Sequence, residues 1–335
     1  MIAAVARSIT VFVLVLLITL GASDAQETRK VFRIGWLHPS ATEPRATFRD
    51  ALRELGYVEG RNVRFEVRSA EGKFDQFPRL AAELVASRVD VLVAVAPTAI
   101  RAARQATSNV PIVMAYWGGP DLVEAGIIAS FARPGRNITG VSMLNPELDV
   151  KRLELLVEAI PGVRRLAVLV HDLTFAPSDA PAHFSEVLLP RLQMVARTAR
   201  VELHVAEVAP RGAYEAAFEG IVTGGAKALL VPSSPIFTVD RKRIVELAAR
   251  HRLPAMYEWG YMAREGGLMA YGTTLAELDR RAATFVDRIL KGAKPGDLPI
   301  EQPTMFELVI NMRTAKALGL TIPPSLLLRA NELVE

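Results

Sequence analysis

The stretch VDVLVAVAPTAIRAARQATSNVPIVMAYW (89–117) decides the fold. Its first part, VDVLVAVAP (89–97), is a continuous apolar run, which is typical of a strand covered on both faces of a parallel sheet. Thr98 is the expected N-cap of the amphipathic helix that follows, and PIVMAYW (111–117) is the next strand. A strand, a helix and a second strand of these lengths predict a right-handed βαβ crossover.

The same alternation extends in both directions from this stretch. It begins with VFRIGWLHP (31–39), continues through NITGVSML (137–144) and starts again with RRLAVLVHD (164–172). We therefore predict an α/β fold of two doubly wound parallel-sheet lobes joined by a hinge. The predicted boundaries are 31–143 plus 273–295 for the first lobe and 144–272 plus 296–335 for the second. Within these, the C-terminal section is expected to recross the hinge, and two crossings are expected near 142–145 and 271–274.

Capping residues and apolar stripes predict individual helices. Thr42 is the expected cap of a helix that has Pro44 in its first turn and ends at Gly56. A later helix has the apolar stripe Leu278, Ala282, Phe285 or Val286, and Ile289. A final helix is expected after Pro324.

The first 25 residues indicate export. Arg7 precedes an unbroken apolar run (9–20), and Ser23 and Ala25 form a small-residue cleavage site before Gln26. The run is too short to cross a bilayer, which takes roughly 20 residues. We therefore expect residues 1–25 to be a signal peptide; an uncleaved anchor is the alternative.

The amino-acid composition indicates the cellular location of the protein and the kinds of partner that it lacks. The chain has no cysteine, so we expect a free periplasmic protein without disulfides or a lipid anchor. The net charge is +4, but the charges of RDALRELG (49–56) and KRLELLVEA (151–159) are arranged as on solvated helix faces. No zinc spacing or basic block with interleaved aromatics is present, so we expect no nucleic-acid partner. We expect a monomer.

No catalytic or cofactor signature is present. The chain has no Gly-x-Ser-x-Gly, no phosphate-binding Gly-rich loop and no His-Glu-x-x-His. The first strand continues into WLHPSATEP (36–44) without the Gly-rich turn that binds a dinucleotide. We expect neither an enzyme nor a cofactor or metal site.

Ligand binding, unlike catalysis, requires no sequence motif. Proteins with parallel sheets bind ligands beyond the carboxyl ends of their strands. All three tryptophans lie at such ends, where they can stack on a ligand or simply close the end of a lobe. Thr98 begins a helix whose free N–H groups favour an anion, although a plain N-cap is the alternative. The expected ligand-binding residues are Trp36, His38, Pro97, Thr98, Tyr116, Trp117, Ser142, Phe175, Ser233, Ser234, Glu258, Trp259 and Tyr271.

Several stretches together resemble the ABC-type substrate-binding proteins related to tryptophan/tyrosine-type import systems. The resemblance covers essentially the whole chain after residue 25 and implies a type I periplasmic-binding-protein fold. It also implies three hinge crossings and delivery of a ligand to a membrane permease and its ATPase. The stretches are GYVEGRNV (56–63), AAELVASRVDVLVA (81–94), ARPGRNITGVS (132–142), KRLELLVEAIPGVRRLAVLV (151–170), LMAYGTTLAE (268–277) and the tail from RILKGAKPGDLP (288–299) to the end.

The resemblance implies less about the ligand. Amino-acid-binding relatives have an acidic residue in the second-lobe loop that meets the ligand ammonium, whereas the corresponding loop here is Pro232-Ser233-Ser234-Pro235. Either Glu258 takes that role from the neighbouring strand, or the ligand has no amine. We expect an aromatic organic anion with its carboxylate at Thr98 and its ring against Trp36 or Trp117. A periplasmic sensor that reports to a membrane signalling partner is the alternative function.

Overall fold

The predicted alternation of strands and helices builds two separate sheets. The structure, a computed structural model, describes residues 30–40, 42–119, 121–143, 145–171, 183–209 and 212–335. The signal-peptide prediction lies outside these residues. The strands are β1 (Phe32–His38), β2 (Val63–Ser69), β3 (Val91–Val95), β4 (Ile112–Trp117), β5 (Ile138–Ser142), β6 (Arg165–His171), β7 (Glu202–Val208), β8 (Leu229–Leu230), β9 (Ala255–Tyr257), β10 (Met269–Gly272), β11 (Glu307–Asn311) and β12 (Glu332–Val334).

Helices connect these strands and cover both sheets. Short 3₁₀ turns lie at Phe74–Gln76 and Pro295–Asp297, and a π-helical segment at His183–Leu188 precedes one helix. The α-helices are α1 (Ala46–Glu54), α2 (Phe77–Ala86), α3 (Pro97–Ala106), α4 (Asn145–Ala159), α5 (Leu189–Thr198), α6 (Tyr214–Thr223), α7 (Pro235–Val239), α8 (Arg241–Arg250), α9 (Gly260–Arg264), α10 (Leu275–Leu290), α11 (Met312–Leu318) and α12 (Pro324–Leu327).

The first sheet has the strand order β2-β1-β3-β4-β5, and every pair is parallel. Helices α2 and α3 pack together on one face, while α1 and α10 pack together on the other. Strands β3 and β4 are buried along their whole length, because helices cover both of their faces. The continuous apolar runs at 89–97 and 111–117 therefore predicted these two strands correctly.

The second sheet has the order β12-β11-β10-β9-β8-β6-β7. Strands β6 to β10 pair in parallel, as predicted, but β11 pairs antiparallel with β10. Strand β12 was not predicted, because its Glu-Leu-Val segment has too little apolar alternation to indicate a strand. It pairs in parallel with β11, and Arg264 of α9 forms an ion pair with Glu332.

The described part of the chain passes between the two sheets three times. It leaves the first sheet after β5, returns at 273–274 before α10, and leaves again before β11. At the third passage Glu301 lies beside β5: its N–H donates to Gly140 O at 3.0 Å, and Ser142 N–H donates to Glu301 O at 2.9 Å. Rotation of the lobes about these passages stays a prediction.

Two predicted helix caps are wrong. The first helix begins at Ala46 with Arg45 as N-cap, and not at Thr42. Glu43 precedes Pro44, and a residue before proline avoids the α conformation. The helix predicted to start at Thr98 begins one residue earlier, because Pro97 suits the first helical position, and Ala96 is its N-cap. The predicted stripe of α10 is confirmed, since all of its residues are buried.

No helix among the described residues is both long enough and apolar enough to cross a membrane.

One glycine permits β4 and β5 to approach each other. Gly140 has φ of +139°, and a Cβ atom on it would lie 2.2 Å from Met114 O. The register of this strand pair shifts between Met114 and Trp117, directly beside the close approach. A side chain at position 140 would therefore be strained by its backbone conformation and would also collide with the neighbouring strand.

We predict that Gly140→Ala lowers the free energy of unfolding by about 3 kcal/mol or more, because neither the backbone nor Met114 can move without disturbing the sheet. The matched control is Gly220→Ala in α6, where no atom beyond the backbone of its own helix and its two chain neighbours lies within 4 Å of the added Cβ. The free energy of unfolding of this control should rise by roughly 0.5–1 kcal/mol, because alanine lowers the conformational entropy of the unfolded chain. Urea unfolding midpoints measure both effects, and a loss no larger at 140 than at 220 would contradict the prediction.

Candidate functional site

A cluster of aromatic side chains lies where the two lobes meet. Tyr116 at the end of β4 and Trp259, which follows β9, form an edge-type ring contact with centroids 5.7 Å apart. Trp259 in turn stacks on Tyr261 at 6.2 Å, with ring planes 6° apart. The guanidinium of Arg241 lies 5.3 Å from the centre of the Tyr261 ring. Rings from both lobes therefore form one surface at the carboxyl ends of the strands.

Trp36 lies deeper in the first lobe than the sequence analysis expected. Its ring is fully buried and packs against Phe48 at 4.8 Å and His38 at 6.2 Å. Arg45 places its guanidinium 5.6 Å from the ring centre. The surroundings of Trp36 are thus occupied by neighbours of its own lobe.

Arg45 connects this region to the last helix of the first lobe. Its Nε donates to the carboxylate of Asp279 in α10 at 2.8 Å, and Asp279 also accepts from the hydroxyl of Thr47. Asp279 is fully buried. Burial, with the nearby Arg45, lowers the pKa of His38 to about 3, so this imidazole is neutral at physiological pH.

A polar network lies beside the aromatic cluster, and we define it as Asn145, Asp149, Arg152, Ser233 and Glu258. Asn145 Nδ2 donates to Ser233 Oγ at 2.6 Å and to Gly118 O of the first lobe at 3.1 Å. Ser233 Oγ donates to Glu258 Oε1 at 2.6 Å. The network therefore crosses from one lobe to the other through a single amide side chain.

Arg152 lies at the centre of this network and is fully buried. Its Nη1 donates to Asp149 Oδ1 at 2.5 Å, and its Nε donates to Tyr271 O at 2.7 Å. The close packing requires a glycine at the end of β10, because a Cβ on Gly272 would lie 2.4 Å from Glu258 O and 3.2 Å from Arg152 Nη2. The site is consequently shaped by backbone as well as by side chains.

Burial shifts the acidity of both carboxyl groups of the network. It raises the pKa of Glu258 to about 7, although Arg152 and the Ser233 hydroxyl act in the opposite direction. Burial also raises the pKa of Asp149, an effect that its ion pair with Arg152 opposes. Glu258 therefore titrates close to neutral pH, and a cation beside it would favour its ionised form.

Several buried polar atoms around the lobe junction make no hydrogen bond to any described residue. Buried polar atoms are normally paired, so atoms of this kind at the carboxyl ends of strands are typical of groups that bind a ligand or water. They include Thr98 Oγ1, Asn145 Oδ1, Arg152 Nη2, Ser234 Oγ and Thr273 Oγ1.

The structure does not bring all of the expected residues to this junction. Trp117 points to the opposite face of the first sheet, where it packs among the residues of α2 and α3 and lies 5.0 Å from the Arg101 guanidinium. The ring of Tyr271 stacks on Phe306, and only its backbone carbonyl belongs to the network, through the hydrogen bond from Arg152. Pro97 and Ser142 lie at the expected strand ends. Phe175 lies outside the described residues.

Sequence reasoning missed Arg45, Asn145, Asp149, Arg152 and Tyr261. The segment KRLELLVEA (151–159) was interpreted as a solvated helix face, but Arg152 is fully buried. The available signal was its spacing: Asp149 and Arg152 are three residues apart, on the face that also contains Leu148 and Leu156. Arg45 and Tyr261 carry no local signal, because their partners are distant in the chain.

No group of side chains with the composition of a metal site occurs in the described part of the chain.

Comparisons with known proteins agree with this architecture. The model of the family described as "ABC transporter substrate binding protein" matches residues 36–334. A curated relative, a tyrosine-binding protein of Clostridioides difficile (strain R20291), is 25% identical over 284 residues, covering 84% of this chain and 78% of the relative.

Solved structures give the same result. A conserved domain protein of Vibrio cholerae superposes with a TM-score of 0.79 at 25% identity, covering 91% of this chain and 100% of the other. An ABC domain of Streptococcus pneumoniae in complex with L-Trp superposes with a TM-score of 0.78 at 25% identity, covering 90% and 99%. With its two α/β lobes of the type I periplasmic-binding-protein fold, this chain belongs to the ABC transporter substrate-binding protein family.

Proposed function

We propose that this protein is the extracytoplasmic solute-binding component of an ABC importer and that it takes an aromatic amino acid between its lobes. It would deliver that ligand, as a monomer, to a membrane permease and its ATPase, after export by the signal peptide at residues 1–25. The observation that carries the proposal is the junction itself, where rings from both lobes adjoin a buried network of hydrogen-bonding groups.

The ring of the ligand is proposed to lie between Tyr116 and Trp259. These two residues belong to different lobes and touch each other, so the lobes must part to admit a ligand. Hinge rotation at the three passages of the chain allows that movement. An aromatic ligand placed there gains stacking energy beyond the burial of its surface, by roughly 0.5–1.5 kcal/mol per ring pair.

The amine of the ligand is proposed to meet Glu258. The loop at 232–235 contains no acidic residue, which favoured a ligand without an amine. Glu258, however, accepts a hydrogen bond from Ser233 of this loop, so a carboxylate lies at the loop although it belongs to another strand. The relatives that bind tyrosine and L-Trp support the same assignment.

The carboxylate of the ligand is proposed to lie at the beginning of α3. The free N–H groups of the first turn and the helix dipole favour an anion there. The hydroxyl of Thr98, which makes no hydrogen bond to a described residue, is available to donate to it.

We predict that L-tryptophan and L-tyrosine bind at least roughly tenfold more tightly than indole-3-propionate and 3-(4-hydroxyphenyl)propionate, because an ion pair in a desolvated site outweighs a neutral contact. Titration calorimetry measures the four affinities. Glu258→Gln keeps the shape and the acceptor for Ser233, and it should abolish the difference. Tighter binding of the acids without amine would contradict the role of Glu258, whereas binding of neither pair would contradict the proposed ligand class.

We also predict that the affinity for an aromatic amino acid rises with pH. An ammonium favours ionised Glu258, whose pKa in the free protein is about 7. Affinity for L-tryptophan should therefore rise by about tenfold from pH 6 to pH 8, as the carboxyl loses its proton before binding. Glu258→Gln serves as the control and should give a flat profile. An affinity that falls over this range would indicate that the ligand brings negative charge to Glu258.

The tryptophans provide a further test. Trp259→Leu should lower the affinity for the aromatic ligand by roughly tenfold or more, because it removes one of the two rings that enclose it. Trp117→Leu is the matched control: it removes the same ring from the opposite face of the first sheet, so it should reduce thermal stability while changing affinity less than about threefold. Fluorescence titration measures both variants, and an equal effect at the two positions would contradict the placement of the ligand ring.

A further inference from the structure

A concave pocket lies in the first lobe, away from the lobe junction. It is a pocket of about 520 Å³ that we call the arginine pocket. Its polar lining comes from α3, the turn after it and the residues before β5: Arg101, Arg104, Gln105, Thr107, Ser108 and Arg136. Because α3 runs from the carboxyl ends of the strands towards their amino ends, the later residues of α3 and the start of β5 place this pocket on the outer side of the lobe.

Two of its cations have no countercharge among the residues that the structure describes. Arg104 and Arg136 form no ion pair with any carboxylate of the described residues, whereas most other arginines that the structure describes do, as at Arg45, Arg165 and Arg264. Burial, Arg136 and Arg101 all lower the pKa of Arg104, which reflects like charges held close together. Such an arrangement is unfavourable by itself and becomes favourable when an anion binds.

Hydrogen bonds hold the backbone beside the exposed Arg136 in place. Asn137 Nδ2 donates to Val110 O at 2.7 Å and to Thr107 O at 3.2 Å, which holds the end of α3 against the start of β5. On the other side Gly135 N–H donates to Gly296 O at 3.1 Å. Gly296 packs so closely that a Cβ on it would lie 2.6 Å from Arg136 O. The loop that contains Arg136 is therefore held by hydrogen bonds on both of its sides.

A structural role explains only part of this cluster. Arg104 lies in the last turn of α3, where the helix dipole favours a cation, and Arg101 packs against the Trp117 ring at 5.0 Å. Neither contact explains why Arg136, on a separate element, faces the same pocket. Hydroxyl and amide groups complete the lining, and guanidinium groups match phosphate and carboxylate oxygens with paired donors.

We propose that the arginine pocket is a second binding site, for a small polyanion that carries phosphate groups or several carboxylates. The concave shape and the volume suit a molecule of metabolite size. This site does not depend on the aromatic ligand of the junction, so either proposal can fail without the other.

The test is titration calorimetry at low ionic strength with inorganic pyrophosphate and, separately, with citrate. We expect saturable binding of at least one probe at submillimolar concentration. Tighter binding of pyrophosphate would indicate a phosphate ligand, and tighter binding of citrate a polycarboxylate. The double variant Arg104→Gln/Arg136→Gln should weaken binding by at least roughly tenfold, since it removes the paired charge-assisted hydrogen bonds. Arg101 is left unchanged because it also supports Trp117.

The matched control is Arg61→Gln/Arg313→Gln, which removes the same net charge from two exposed positions outside the pocket. It should change the affinity less than about twofold. An equal loss in both double variants would mean that the anion responds only to the general positive charge of the protein, which overturns the proposal. Absence of saturable binding of both probes to the unmodified protein overturns it as well.

Discussion

The buried guanidinium of Arg152 is the constraint on which the lobe junction depends. Taking such a charge out of water is costly, and the cost is offset only when its hydrogen-bond donors are paired at close range. Asp149 accepts from Nη1 and the carbonyl of Tyr271 accepts from Nε, which links α4 to the end of β10, while Nη2 makes no hydrogen bond to a described residue. Gly272 is needed in the same place, because any side chain there would collide with Glu258 O. Removal of one partner of a buried pair of this kind typically costs about 3–5 kcal/mol.

The junction combines two unlike surfaces in a small volume. Aromatic rings provide apolar area and stacking, whereas the polar network provides charge and directed hydrogen bonds. Burial removes water from the Glu258 carboxyl group and disfavours its charged form, which raises its pKa to about 7. A small ligand can be recognised in this setting by its shape and by the charge that it carries.

Helix α3 extends from the lobe junction to the arginine pocket. Its first turn, at Thr98, faces the lobe junction, and its last turn contributes Arg104 to the arginine pocket. Between them Arg101 packs on the ring of Trp117. The tryptophan that the sequence suggested as a ligand contact is thus part of the packing that positions α3.

The sequence by itself determined the two sets of strands and helices, because apolar runs and amphipathic stripes are local patterns that reflect burial. It also located the edge of the sheets where Thr98, Ser233, Glu258 and Trp259 lie, since parallel strands present their carboxyl ends together. Only the tertiary structure decided which side chains meet there. Arg152 was interpreted as solvated, and Trp117 as a ligand contact, because the pattern of a single helix or strand does not reveal what covers it. The pairing of Ser233 with Glu258 joins residues 25 positions apart, and that contact exists only because β8 and β9 are neighbours in the sheet.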